Sequence, residues 1–82
     1  MNQVCAARLC DLPVGARTTI HELRAAGAMR RRLCDLGFLP GATVRCVGIA
    51  PMGDPKAYEV RGAIIALRAR DGAAVLTEAC RE

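Results

Sequence analysis

The sequence is almost without aromatic side chains, with one Phe, one Tyr and no Trp among 82 residues. Small barrels that hold single-stranded nucleic acid do so by stacking bases on aromatic faces, and that device is nearly excluded here. His21 is the sole histidine, and no Cys-x-x-Cys pair occurs. A structural zinc site needs closely spaced ligands, because a tight loop must present two donors to one tetrahedral ion. The longest uncharged run is the nine residues from Leu36 to Val44. A helical membrane span needs about 20. No Gly-rich loop leads into Lys-Ser or Lys-Thr, so no phosphate cradle for nucleotide hydrolysis is present. No Ser motif accompanies the single histidine, and a chain this short leaves little volume for a substrate pocket. No catalytic residues and no cofactor are expected. The N-terminus lacks a basic-then-apolar signal pattern, which places the expected location in the cytoplasm.

What is present is aliphatic. Hydrophobic residues reach 52%, but 15 of them are Ala, against 8 Leu, 6 Val and 4 Ile. The length allows one domain with a small aliphatic core. Net charge is +4, and half of that excess falls within residues 28–41, around Arg30, Arg31 and Arg32. Such a balance permits contact with nucleic acid, anionic lipid or an acidic protein surface. Eight acidic residues are scattered among the twelve basic ones, which suits an ordinary solvated surface better than a DNA-tracking stripe. The five cysteines, Cys5, Cys10, Cys34, Cys46 and Cys80, are odd in number and irregularly spaced. They read as reduced thiols behaving as small buried hydrophobes, with one or two exposed near the ends.

Residues 1–7 read as a loosely held N-terminus, 8–78 as the folded domain and 79–82 as a tail. Leu9 to Leu12 fits one helical turn, which Pro13 ends by biasing Leu12 out of the helical region. Thr18, Thr19 and Ile20, with branched Cβ atoms, predict a strand within Ala16 to Leu23. Met29, Leu33 and Leu36 share one helix face, and Gly37 supplies the left-handed residue that closes the helix. Strands are predicted at 43–50, 56–61, 63–68 and 75–78, with turns at Arg61-Gly62 and Asp71-Gly72. The alternation slips between Cys46 and Val47, the mark of a bulge or strong coiling. About five short strands with one or two short helices inserted predict a mainly β, closed or nearly closed small barrel. An SH3-like barrel is the leading form and an OB-fold the competitor.

Four segments, in order, resemble one known family. They are Leu9 to Gly15, Gly27-Ala28-Met29-Arg30-Arg31-Arg32-Leu33-Cys34-Asp35-Leu36-Gly37-Phe38-Leu39-Pro40-Gly41, Ala50-Pro51-Met52-Gly53-Asp54-Pro55, and Tyr58-Glu59-Val60-Arg61-Gly62 with Ile65-Ala66-Leu67-Arg68. Together they resemble the FeoA family over about residues 8–78. The resemblance implies an SH3-like domain that acts as a small cytosolic partner of FeoB. FeoB is the membrane protein that imports ferrous iron and carries a cytoplasmic GTP-binding domain. The module is also similar to a C-terminal domain of some metal-dependent repressors. With no DNA-binding domain ahead of it, the stand-alone transport component is the expected fit.

On that reading the partner would be bound by the helix and the adjoining 51–55 loop, with Arg30, Arg31, Met52 and Asp54 as the contact residues. Arg30 and Arg31 would share one side of the helix toward an acidic surface, although charge runs commonly just keep a helix wet. Met52 is an adaptable apolar tip in a loop stiffened by two prolines, although a tight turn alone would need the same residues. Asp54 either binds a metal or an arginine or hydrogen-bonds its own loop backbone. Two other functions stay open: a basic barrel that binds nucleic acid, and a metal sensor or carrier built on Cys10, Cys34, Cys46 or Cys80.

Overall fold

A computed structural model describes residues 7–78. The expectations for residues 1–6 and for the tail at 79–82, including Cys5 and Cys80, lie outside the described residues. The elements run β1 (Ala7–Arg8), a 3-10 turn (Leu9–Asp11), β2 (Arg17–Leu23), α1 (Gly27–Leu36), β3 (Thr43–Ile49), β4 (Lys56–Val60), β5 (Ala63–Leu67), α2 (Ala69–Gly72) and β6 (Val75–Thr77). All pairings are antiparallel, in the order β1-β6-β2-β3-β4-β5. The fold is mainly β, a small barrel-like sheet with two short helices.

Two features depart from the expected outline. β1 begins at Ala7, inside the segment read as loose, because Ala7 pairs with Thr77 and Arg8 with Leu76. The Asp71-Gly72 turn is instead the end of a short helix, α2. The sheet is barrel-like without full closure, within the closed or nearly closed form expected: β1 and β5 end it without pairing with each other. Among the described residues β1 has two residues before the chain coils into the 3-10 turn, and it does not run on to β5. Side chains bridge the opening instead. Lys56 Nζ donates to the carbonyl oxygens of Cys10 and Leu12, each at 2.9 Å, and Tyr58 Oη donates to Leu9 O at 3.3 Å.

The strand alternation sets the core. Tyr58 and Val60 point inward from β4, Val44 and Cys46 from β3, and Ile20 and Leu23 from β2. The slip expected in β3 is a register shift between Cys46 and Gly48 that leaves Val47, exposed, without a partner on β4. The two aromatic residues meet at the centre. The rings of Phe38 and Tyr58 stand edge to face, 6.4 Å apart at 89°. Such a pair contributes about 0.5–1.5 kcal/mol beyond its buried area. Phe38 reaches this position through the end of α1. Gly37 is left-handed at φ 104°, and the amide of Phe38 donates back to Leu33 O at 2.9 Å. That pair of features closes the helix and swings the next side chain inward.

Candidate functional site

The face of α1 that carries Met29, Leu33 and Leu36 packs into the domain's own core, with Leu33 buried and the other two half-buried. It leaves no apolar stripe for a partner. Arg30, Arg31 and Arg32 stand exposed on the remaining surface.

The 51–55 loop is pinned at both ends and bare at its tip. The amide of Gly53 donates to Ala50 O at 2.8 Å, and the amide of Ala50 donates to Pro55 O at 3.0 Å. Asp54 Oδ1 accepts the amide of Ala69, the first residue of α2, at 2.7 Å. A carboxylate at that position satisfies one of the helix's unpartnered N–H groups. Asp54 therefore bonds a distant segment and not its own loop. Met52 projects from this braced turn with 92% of its surface exposed.

The strand register separates the loop from the end of the helix. β3 and β4 pair from Val44↔Val60 at one end to Ile49↔Lys56 at the other, and the loop joins the Ile49–Lys56 end. The last turn of α1 meets the opposite end, where a Cβ built on Gly37 would lie 3.1 Å from Arg61 Cδ. The length of β4 stands between them. The loop does not adjoin the closing turn of the helix, and no hydrogen bond or ion pair among the described residues joins the Arg30–Arg31 surface to Met52 and Asp54. Arg30 and Arg31 thus stand on α1 and Met52 and Asp54 on the β3–β4 loop, two separate elements.

A third surface comes from residues that sequence reading did not group. Arg17 lies directly opposite Arg45, and Arg45 opposite Glu59, in one cross-strand row. With Thr43, Arg61 and Gly62 they line an open cleft of about 190 Å³. None of these arginines is ion-paired among the described residues, where the salt bridges are Arg8–Asp11 and Arg24–Glu22. Arginines face to face across a ladder repel, so the outside of β2, β3 and β4 carries a positive potential. The signal was present as outward positions in three strands, but only the pairing register brings them together.

The three described cysteines lie on separate elements: Cys10 in the 3-10 turn, Cys34 on α1 and Cys46 on β3, with Cys46 buried. Among the described residues no three His, Cys, Asp or Glu side chains converge as a metal site would require. Burial holds the Tyr58 hydroxyl well above its ordinary range, with smaller contributions from the nearby Cys46, Cys10, Asp54 and Asp11. No helix of the described residues is long and apolar enough to cross a membrane.

The FeoA domain family model matches residues 7–79. A fusion of Fe(2+) transport protein A with the Fe(2+) transporter FeoB, from Porphyromonas gingivalis, is 32% identical over 71 residues. The match takes in 87% of this chain and 8% of that relative, so the chain spans a small part of the curated relative's length. The solution structure of iron(II) transport protein A from Clostridium thermocellum superposes with a TM-score of 0.85 at 30% identity. That match covers 88% of this chain and 44% of the other. The crystal structure of Stenotrophomonas maltophilia FeoA complexed with zinc, a prokaryotic SH3 domain protein, gives 0.78 at 30% identity, covering 88% and 89%. The SH3-like form is thereby established over the OB-fold.

Proposed function

Because this chain belongs to the FeoA family, whose members are tied to ferrous iron transport, we propose that it is a non-enzymatic accessory component of ferrous iron uptake. It binds the cytoplasmic part of FeoB, on or beside the GTP-binding domain, and is itself cytoplasmic. The observation that carries this reading is the Porphyromonas gingivalis relative, in which an FeoA region and FeoB share one polypeptide. Tethering two modules raises their effective concentration for each other, which is useful when they work in contact.

The mechanism is differential binding. A rigid domain that fits one conformation of the transporter better than another shifts its population by the difference in affinity, and no bond need be made or broken. Met52 offers the apolar contact and Asp54 holds the loop that presents it. Arg30 and Arg31 meet acidic groups from a separate element. A nucleic-acid role is disfavoured by the burial of both aromatic rings, which leaves no face for a base to stack on.

Titration of purified FeoB with this domain, in GTP-bound, GDP-bound and nucleotide-free forms, tests the reading. Saturable binding whose affinity differs between these forms is expected. Absence of binding in all three would overturn it.

A further inference from the structure

Among the described residues β5 is the longer of the two sheet edges, and no strand pairs with its outer side. β1, at the other edge, has two residues. β5 has five, Ala63–Leu67, with no charge, no proline and no bulge in its pairing to β4. Natural sheets ordinarily blunt such an edge with one of those devices. The two-residue turn Arg61-Gly62, both at positive φ, makes Val60↔Ala63 the first hydrogen-bonded pair of the hairpin. Bonding pairs then alternate, so Ile65 and Leu67 also bond toward β4. By that register Ile64 and Ala66 point their N–H and C=O groups away from β4, and no turn, loop or cap bond among the described residues uses either amide. Both residues are exposed, Ile64 to 62%.

Charge decides what could sit there. Arg61 and Arg68 flank the strand at its two ends. If a second copy paired edge to edge, either strand direction would bring arginine beside arginine. Like charges so placed destabilise a ladder and act as gatekeepers against self-association. The same two residues favour a strand with acidic ends. The neighbouring outer face adds Arg17 and Arg45, against the single carboxylate of Glu59. We propose that the free edge of β5 takes up an extended segment of a partner protein by strand addition, a segment with apolar or β-branched residues at its centre and Asp or Glu at its ends. Main-chain bonds to Ile64 and Ala66 would supply the affinity, and the arginines would set register and sign. Nothing in this assignment depends on which protein supplies the strand.

The test uses the full chain, labelled with ¹⁵N, and a short peptide alternating valine and threonine with glutamate at both ends. A twin peptide ends in lysine. The glutamate-ended peptide should slow hydrogen exchange at the Ile64 and Ala66 amides, and the lysine-ended one should not. Ala66→Pro removes an outward N–H without touching a ladder bond and should abolish the protection. Because proline could unsettle the strand, Arg61→Glu with Arg68→Glu gives an independent reading. That pair should weaken the glutamate-ended peptide by about tenfold and make the lysine-ended one the better ligand. Equal binding of the two peptides, or no protection by either, overturns the proposal. So does protection of Ile64 that rises with protein concentration alone, which would give the edge to a second copy.

Discussion

Lys56 Nζ donates to the carbonyl oxygen of Leu12 at 2.9 Å, across 44 residues of chain. The same ammonium reaches Cys10 O. These bonds tie β4 to the segment that follows β1, at the opening where the sheet fails to close. One side chain stands in for a missing strand pairing.

Lys56→Met keeps most of the apolar stem and removes both bonds. A hydrogen bond to a charged group contributes about 1.5–3 kcal/mol, and partial exposure of Lys56 lowers that figure. The variant should lose about 1–3 kcal/mol of stability overall, read as a lower urea midpoint at an unchanged slope. An unchanged midpoint would show that the opening does not need bridging.

Tyr58 gives a pH prediction with one reporter, because it is the only tyrosine in the chain. Burial raises its folded-state pKa above the ordinary value of 10.0. Between the unfolded and folded pKa values the folded state holds a proton that the unfolded state has released. Stability is therefore full below pH about 10 and falls as pH rises from there toward the folded pKa. Absorbance at the tyrosinate band should stay flat through pH 10 in buffer and titrate near the ordinary value in denaturant. Tyr58→Phe should flatten the alkaline loss of stability while removing the bond to Leu9 O. A folded-state titration at the ordinary value would contradict the burial.

Much of this fold is written locally, and what is not local was not legible. The helix, its Gly37 stop, the Arg61-Gly62 hairpin and the β3 bulge follow from periodicity and backbone freedom within a few residues. β1 is a strand only because Ala7 meets Thr77 from the far end of the chain. α2 is four residues long, and one amide of its first turn is held by Asp54 from the β3–β4 loop. The arginine cleft has the same origin, since Arg17, Arg45 and Arg61 become neighbours through register. A run such as Arg30-Arg31-Arg32 attracts notice in sequence, yet a run spreads around a helix while a cross-strand row converges.

Two glycines should resist substitution for different reasons. Gly37→Ala forces a side chain into the left-handed region at φ 104° and brings its Cβ to 3.1 Å from Arg61 Cδ. A flexible side chain can move, so Arg61→Ala should recover part of the loss, and the backbone cost of about 1 kcal/mol should remain. Gly72→Ala would place its Cβ 3.2 Å from the backbone nitrogen of Cys10, where α2 packs on the 3-10 turn. Backbone cannot step aside so easily. That variant should lose about 1–3 kcal/mol, with no rescue from trimming the Cys10 side chain to Gly. Thermal unfolding of the single and double variants separates the two cases.

Met52 and Asp54 share a loop but should fail differently. Met52 touches solvent over 92% of its surface, so Met52→Ser should leave stability within about 0.5 kcal/mol of the parent. If Met52 supplies the apolar contact to FeoB, the same change should weaken binding by about tenfold. Asp54→Ala removes the acceptor of the Ala69 amide and should cost about 0.5–2 kcal/mol, the range for a lost helix cap. Its Ala69 amide should exchange faster, and binding should weaken because Met52 is no longer held in place. Asp54→Asn keeps an acceptor oxygen and should restore both the protection and most of the affinity. If Asp54 itself met a cation on the partner, Asn would restore the protection but not the affinity. Arg30→Glu with Arg31→Glu tests the other surface, and its effect on binding should add to that of Met52→Ser, because the two stand on separate elements.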